Sequence, residues 1–114
     1  MHELAITRNI VAIVGEAAQG RRVTRVTLEI GKLSGVMAEA IAFCFEAVVA
    51  GTPLGDAALD IRAIEGRGQC RECGAEFVAK TLFAACPCGS RHVQRLAGEE
   101  LKIRAIELAD KEAA

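Results

Sequence analysis

The sequence predicts an α+β fold, a small body of two helices and a three-stranded sheet with a metal-binding insert. Three observations carry that prediction. Apolar residues recur at helical spacing over Glu3–Gln19 and again over Met37–Ala50. They alternate with polar residues over Val23–Gly31, over Ala58–Ile64 and from Leu101 to Ala105. Between the last two of these strands, four of the five cysteines fall in two tight clusters at Cys70, Cys73, Cys86 and Cys88.

In the first helix, Ile6, Ile10, Ile13, Val14 and Ala17 define the stripe expected to face the core, and Leu4 and Val11 widen it. Gly20 and the pair Arg21 and Arg22 fit a helix stop. In the first strand, Val26, Leu28 and Ile30 are expected on a buried face, with Arg25, Thr27 and Glu29 on a wet one. Gly31 to Gly35 reads as a turn, with Ser34 as a cap for the second helix. Ile41, Cys44, Phe45 and Val48 form that helix's stripe, so Cys44 reads as a packed thiol far in sequence from the other cysteines. Gly51–Asp56 is a loop, and Leu59, Ile61 and Ala63 alternate in the strand that follows. Glu65–Gln69 and Gly98 read as glycine hinges on either side of the insert. Within the insert, Ala75–Lys80 can supply a short strand, with Val93–Leu96 pairing back. In the last strand the apolar parity switches at Ile106 and Leu108, which suggests a bulge or bend. Asp110–Ala114 reads as a polar, frayed tail.

Composition narrows the function classes. The chain has 114 residues, enough for one compact domain and a small appendage. It is 52% hydrophobic but only 4% aromatic, with no Trp or Tyr, so its core is aliphatic. A net charge of −1 argues against a nucleic-acid binder that neutralises phosphates, and the aromatic content leaves no platform for stacking bases. Met-His-Glu-Leu lacks the basic region and apolar run of a signal peptide, and no apolar stretch approaches membrane-spanning length. A soluble, cytoplasmic protein is expected, which favours metal over disulfides for the cysteines.

Two cysteine turns, each closed by a glycine at Gly74 and Gly89, outline a zinc ribbon, in which each turn offers two thiolates to one tetrahedral ion. Cys70 and Cys73 have the usual two residues between them, whereas only Pro87 separates Cys86 from Cys88. A shorter turn can still place two sulfurs on one metal, with strained geometry. His92 is close enough in sequence to stand in as a ligand, and a pair of disulfides is the reading an oxidising compartment would require. At the other end, His2 and Glu3 precede the first helix. A histidine at position two can be a solvated terminus. It can also offer its imidazole while deprotonated main-chain nitrogens complete a square-planar nickel(II) or copper(II) site. No Ser/His/Asp set, phosphate-cradling loop or paired-carboxylate motif points to an enzyme. A zinc-ribbon adaptor without metal transport and a rubredoxin-like iron carrier are the rival classes.

The chain resembles the HypA/HybF nickel-insertion proteins of [NiFe]-hydrogenase maturation. The residues that carry the resemblance are Met1-His2-Glu3, Val26 to Gly35, Ala42-Phe43-Cys44-Phe45-Glu46, both cysteine clusters with Gly89-Ser90, and Gly98-Glu99-Glu100-Leu101. It implies a metallochaperone, not an enzyme. It implies a transported Ni2+ at His2, with main-chain nitrogens of His2 and Glu3 taking part. It implies a structural Zn2+ on Cys70, Cys73, Cys86 and Cys88. The implied partners are a HypB-type GTPase and the hydrogenase large subunit, with no nucleic acid and no membrane, and the protein itself a monomer or homodimer. The implied domains are a nickel-binding one at 1–66 and 98–114 and a zinc-binding one at 67–97. The family usually has Cys-Pro-x-Cys at the second pair, one residue more than here. Some members also bring a histidine just after that pair to nickel, and His92 lies near that place but offset.

Overall fold

A computed structural model describes residues 2–110. Among them are helices α1 (His2–Ala18) and α2 (Ala38–Val49) and strands β1 (Val23–Gly31), β2 (Ala58–Ile64), β3 (Arg67–Cys70), β4 (Glu76–Val78), β5 (Val93–Ala97) and β6 (Leu101–Leu108). One sheet has the order β2-β1-β6 and a second the order β4-β3-β5. The fold is thus α+β, with the second sheet inserted between β2 and β6. The chain divides into two compact units. One comprises Met1–Leu28, Met37–Ile61 and Ile103–Ala114, the other Glu29–Val36 and Arg62–Lys102.

In the first unit, α1 and α2 pack against each other. The face that α1 buries is Thr7, Ile10, Val14 and Ala18. That row is offset from the expected one: Ile13 and Ala17 point to solvent, Ile13 57% exposed. The apolar residues of α1 outnumber the positions α2 can cover, so periodicity alone does not choose among them. Thr7 is tolerated in the core because its hydroxyl donates to the Glu3 carbonyl at 2.6 Å. In α2, Ile41, Phe45 and Val49 are buried, while Cys44 is half-buried and free. Leu54, inside a loop by its sequence, is 1% exposed and belongs to this core. Its loop is anchored where the Val23 amide donates to the Pro53 carbonyl.

β1 is central in its sheet, and from Val26 to Gly31 every residue is buried. Thr27 and Glu29 are therefore buried, not wet as expected. Glu29 keeps its charge partnered by Lys102, 3.3 Å away, and Arg25 pairs with Glu107 at 3.2 Å. In β6 the half-buried positions are Ile103, Ile106 and Leu108, so the parity does switch after Ala105. Ser34 does not cap α2: its hydroxyl accepts from the Val36 amide within the turn, and the N-cap is Met37. Of the polar tail, residues 111–114 lie outside the described residues.

The two expected hinges of the second unit are tightly packed instead. A Cβ on Gly31 would lie 2.0 Å from the Gly98 carbonyl oxygen, and one on Gly66 would lie 2.2 Å from that of Ala79. Gly98 has φ +121 and sits against Gly66 and Leu33. Backbone bonds lock the crossing: Gly31 donates to Glu100 and Leu33 to Gly98, both at 2.7 Å. These glycines are needed for close approach, not for freedom of movement.

Gly31→Ala should therefore destabilise the protein by more than about 3 kcal/mol, because backbone, not a side chain, would have to yield. Gly15→Ala, at an open position inside α1, should stabilise it by about 0.5–1 kcal/mol. Urea midpoints of the two variants beside the parent separate these outcomes. Equal midpoints for Gly31→Ala and the parent would contradict the packing described.

Candidate metal centre

Strands β3, β4 and β5 are held antiparallel, with Gln69 opposite Glu76 and Cys70 opposite Val93. This small sheet carries the first cysteine turn between β3 and β4 and brings the second back beside it. The Sγ atoms of Cys70, Cys73, Cys86 and Cys88 all lie within 4.8 Å of one another. Cys70 and Cys88 sulfurs are 3.7 Å apart, those of Cys73 and Cys86 3.6 Å. Four thiolates at about 2.3 Å from a tetrahedral zinc stand about 3.8 Å from one another, so the set fits such an ion. The separations are far from the roughly 2.0 Å of a disulfide, and all the described cysteines are free thiols.

The two turns are built alike in spite of their different lengths. In the first, the amides of Glu72 and Cys73 donate to the Cys70 sulfur at 3.4 Å, and the Gly74 amide donates to the Cys70 carbonyl. In the second, the Cys88 amide donates to the Cys86 sulfur at 3.5 Å, and the Gly89 amide to the Cys86 carbonyl. Gly74 and Gly89 both take positive φ, +79 and +95. The missing residue shortens the return from four residues to three and costs one amide–sulfur bond. The left-handed glycine survives, and with it the direction of the thiols. Cys88 consequently reaches the cluster, and His92 does not belong to it. The His92 imidazole is exposed, with Nδ1 3.8 Å from the Glu72 carboxylate.

The electrostatics call for a cation. Cys70 is lowered to about 6, chiefly by the Cys73 amide. Cys86 feels the Cys88 amide pulling downward, but burial and the neighbouring sulfurs of Cys88, Cys73 and Cys70 push it up to about 12. Without a positive charge between them, four such close sulfurs cannot all ionise.

His2 and Glu3 lie in the first unit, at the start of α1, with His2 exposed and Glu3 half-buried. The Glu3 carboxylate accepts from the Met37 amide at 3.3 Å. Its own amide and that of Met37 hold it below the usual carboxylate range. Sequence reasoning missed this link, since nothing in the composition around Met37 marks it as a partner of Glu3. Met1, whose amino group would neighbour His2, lies outside the described residues.

A four-sulfur cluster on paired glycine turns, inserted in a two-helix α+β body, defines a metal-binding protein with a ribbon-type cysteine site. The profile of the family described as "Hydrogenase/urease nickel incorporation, metallochaperone, hypA" matches residues 1–108. The hydrogenase maturation factor HypA of a Nostoc sp. is 54% identical over 110 residues, covering 96% of this chain and 97% of that one. The factor of the same name from Geobacter sulfurreducens is 49% identical over 109 residues, covering 95% and 99%. A solution structure of a HypA protein aligns with TM-score 0.71 at 26% identity, over 97% of this chain and 98% of that one. The nickel metallochaperone HypA of Helicobacter pylori shares the fold, with TM-score 0.67 at 23% identity over 96% and 98%. The chain belongs to the HypA family of nickel metallochaperones for hydrogenase maturation.

The thiol chemistry gives a signed prediction. Cys70, lowered to about 6, is a thiolate at neutral pH and takes up a proton as the pH falls through 6. Cys86, raised to about 12, keeps its proton at neutral pH until a metal displaces it. Metal binding at pH 7 should therefore release protons, and metal affinity should fall more steeply with falling pH below about pH 6, where Cys70 of the metal-free site also holds a proton. Calorimetric titration in buffers of different ionisation enthalpy counts the protons. A count of zero at pH 7 would contradict the assignment.

Proposed function

We propose that this protein carries Ni2+ and delivers it to the large subunit of a [NiFe]-hydrogenase during maturation. The proposal rests on one geometric observation joined to the family membership. The four sulfurs lie within 4.8 Å of one another, close enough for one ion to take all four, and an ion so bound would have a complete set of donors and no open position. Such an ion is structural, and Zn2+ on Cys70, Cys73, Cys86 and Cys88 is the fit for an all-thiolate tetrahedron. A transported ion then needs a second site of different chemistry.

His2 supplies that chemistry. Its imidazole is exposed at the first turn of α1. Imidazole together with main-chain nitrogens at His2 and Glu3 favours planar nickel over tetrahedral zinc. The Glu3 carboxylate is engaged by the Met37 amide and by Glu3's own amide, so the Glu3 nitrogen would exchange that hydrogen bond for the ion on coordinating. In this reading residues 1–66 and 98–114 form the nickel-binding domain and 67–97 the zinc-binding domain. An exposed terminal site suits a carrier, because a partner's ligands can approach and compete for the ion. The partners are a HypB-type GTPase and the large subunit, and the setting is the cytoplasm. Among the described residues no helix is long and apolar enough to cross a membrane.

The test is a nickel titration of the untagged, zinc-loaded protein beside His2→Ala, followed by visible absorption. The parent should saturate at one nickel per chain with a yellow, planar spectrum, and His2→Ala should bind at least tenfold more weakly. Zinc content should stay at one per chain in both. Equal nickel binding by the two proteins would remove carriage through His2 and leave an adaptor stabilised by zinc.

A further inference from the structure

The second unit contains a pocket that neither metal site uses. It has a volume of about 260 Å³, and three arginines, Arg67, Arg91 and Arg95, line it together with Leu82, Phe83 and Val93. No cysteine lines it. Gly68 contributes to its floor, and a side chain there would meet Val93 at 2.7 Å.

The arginines are not equivalent. Arg95 is tied down, with one nitrogen 2.9 Å from the Glu99 carboxylate and the other donating to the Leu82 carbonyl. It braces the segment that carries Leu82 and Phe83. Arg67 and Arg91 make no hydrogen bond or ion pair through their guanidiniums among the described residues. Phe83 is 82% exposed and Leu82 43%. Residues 67–97 hold five Lys and Arg against two Glu, although the whole chain has net charge −1.

Two guanidiniums without hydrogen-bond partners call for carboxylates or phosphates, which they bind with two parallel hydrogen bonds, although the Arg67 charge also acts at a distance on Glu65. An exposed phenyl ring and leucine beside them call for an apolar side chain. A free phosphate would satisfy the first demand and leave Phe83 and Leu82 wet. Nucleic acid is disfavoured by the small size of the pocket and the chain's overall charge. We infer that this pocket is a docking site for an acidic peptide segment of a partner protein, one that places an aliphatic or aromatic residue next to Asp or Glu. Arg67 and Arg91 take the carboxylates, and Phe83 covers the apolar residue. Arginine and aromatic side chains are enriched at protein interfaces. The site stands whether or not His2 carries nickel.

The test is selection from a random hexapeptide display library on the full-length, zinc-loaded protein without nickel. Selected peptides should pair Asp or Glu with Leu, Phe or Trp. Binding of a selected peptide should fall at least tenfold in Arg67→Glu and in Arg91→Glu and about threefold in Phe83→Ala. Zinc content and urea midpoint confirm that each variant is folded, and Arg67→Gln with Arg91→Gln serves where a charge reversal fails that check. Enrichment of neutral peptides, or no enrichment over the doubly substituted protein, would overturn the proposal. So would displacement of the peptide by inorganic phosphate or a single-stranded oligonucleotide at equal charge concentration, since a bare anion site would then suffice.

Discussion

Four sulfurs crowded within 4.8 Å of one another are the constraint on which the second unit depends. Its strands are three to five residues long, and its buried hydrophobic residues include two of the cysteines themselves. So little apolar surface does not offset the entropy of ordering the chain. A metal at thiolate ligands would bring on the order of 10 kcal/mol at neutral pH. A cation there would resolve the conflict between a thiol lowered to about 6 and another raised to about 12. The amide–sulfur bonds around Cys70 and Cys86 prepare the charge distribution before the ion arrives.

A second constraint is backbone crowding at Gly31, Gly66 and Gly98. Where a strand end, a turn and a strand start pass within van der Waals distance, only hydrogen can occupy the Cβ position. The result is a rigid crossing at the place where the insert joins the rest of its unit. The entry to β3 and the exit from β5 are thereby fixed in position, so the pairing of β3 with both of its neighbours starts from defined ends.

Rigidity at the thiolate site and exposure at the terminus answer different demands. A structural ion is best held by a closed set of donors, and here Cys70 and Cys86 are buried while Cys73 and Cys88 face solvent. A carried ion must be reachable, and His2 is exposed. In the proposed reading one short chain would accommodate both through different donor chemistry: soft thiolates in the insert, imidazole and main-chain nitrogen at the start of α1. The link between the Glu3 carboxylate and the Met37 amide shows how the start of α1 is steadied by the start of α2. The arginine-lined pocket is separate from the four cysteines, none of which lines it.

Much of this was legible in the residues. The apolar period marked both helices, alternation marked the strands of the larger sheet, and the parity switch after Ala105 survived as read. The cysteine spacing with its two glycines predicted a single four-sulfur cluster, because the local turn geometry depends only on neighbours in sequence. What sequence could not decide were choices made by distant neighbours. Ile13 or Thr7, Leu54 buried in a loop, and Glu29 inside a central strand all depend on which surfaces the fold brings to cover them. Whether Cys88 or His92 completed the cluster turned on whether a shortened turn could keep its glycine geometry. Gly66 and Gly98 looked like hinges because sequence records the missing side chain but not the backbone that fills its place. The sequence by itself determined the two helices, the strands of the first sheet, the cysteine cluster and the family, since each is a local pattern, but it read as a hinge the segment that forms β3 at Arg67–Cys70. The tertiary structure alone decided which residues are buried, which glycines are crowded and which arginines share a pocket, since those are properties of segments far apart in the chain.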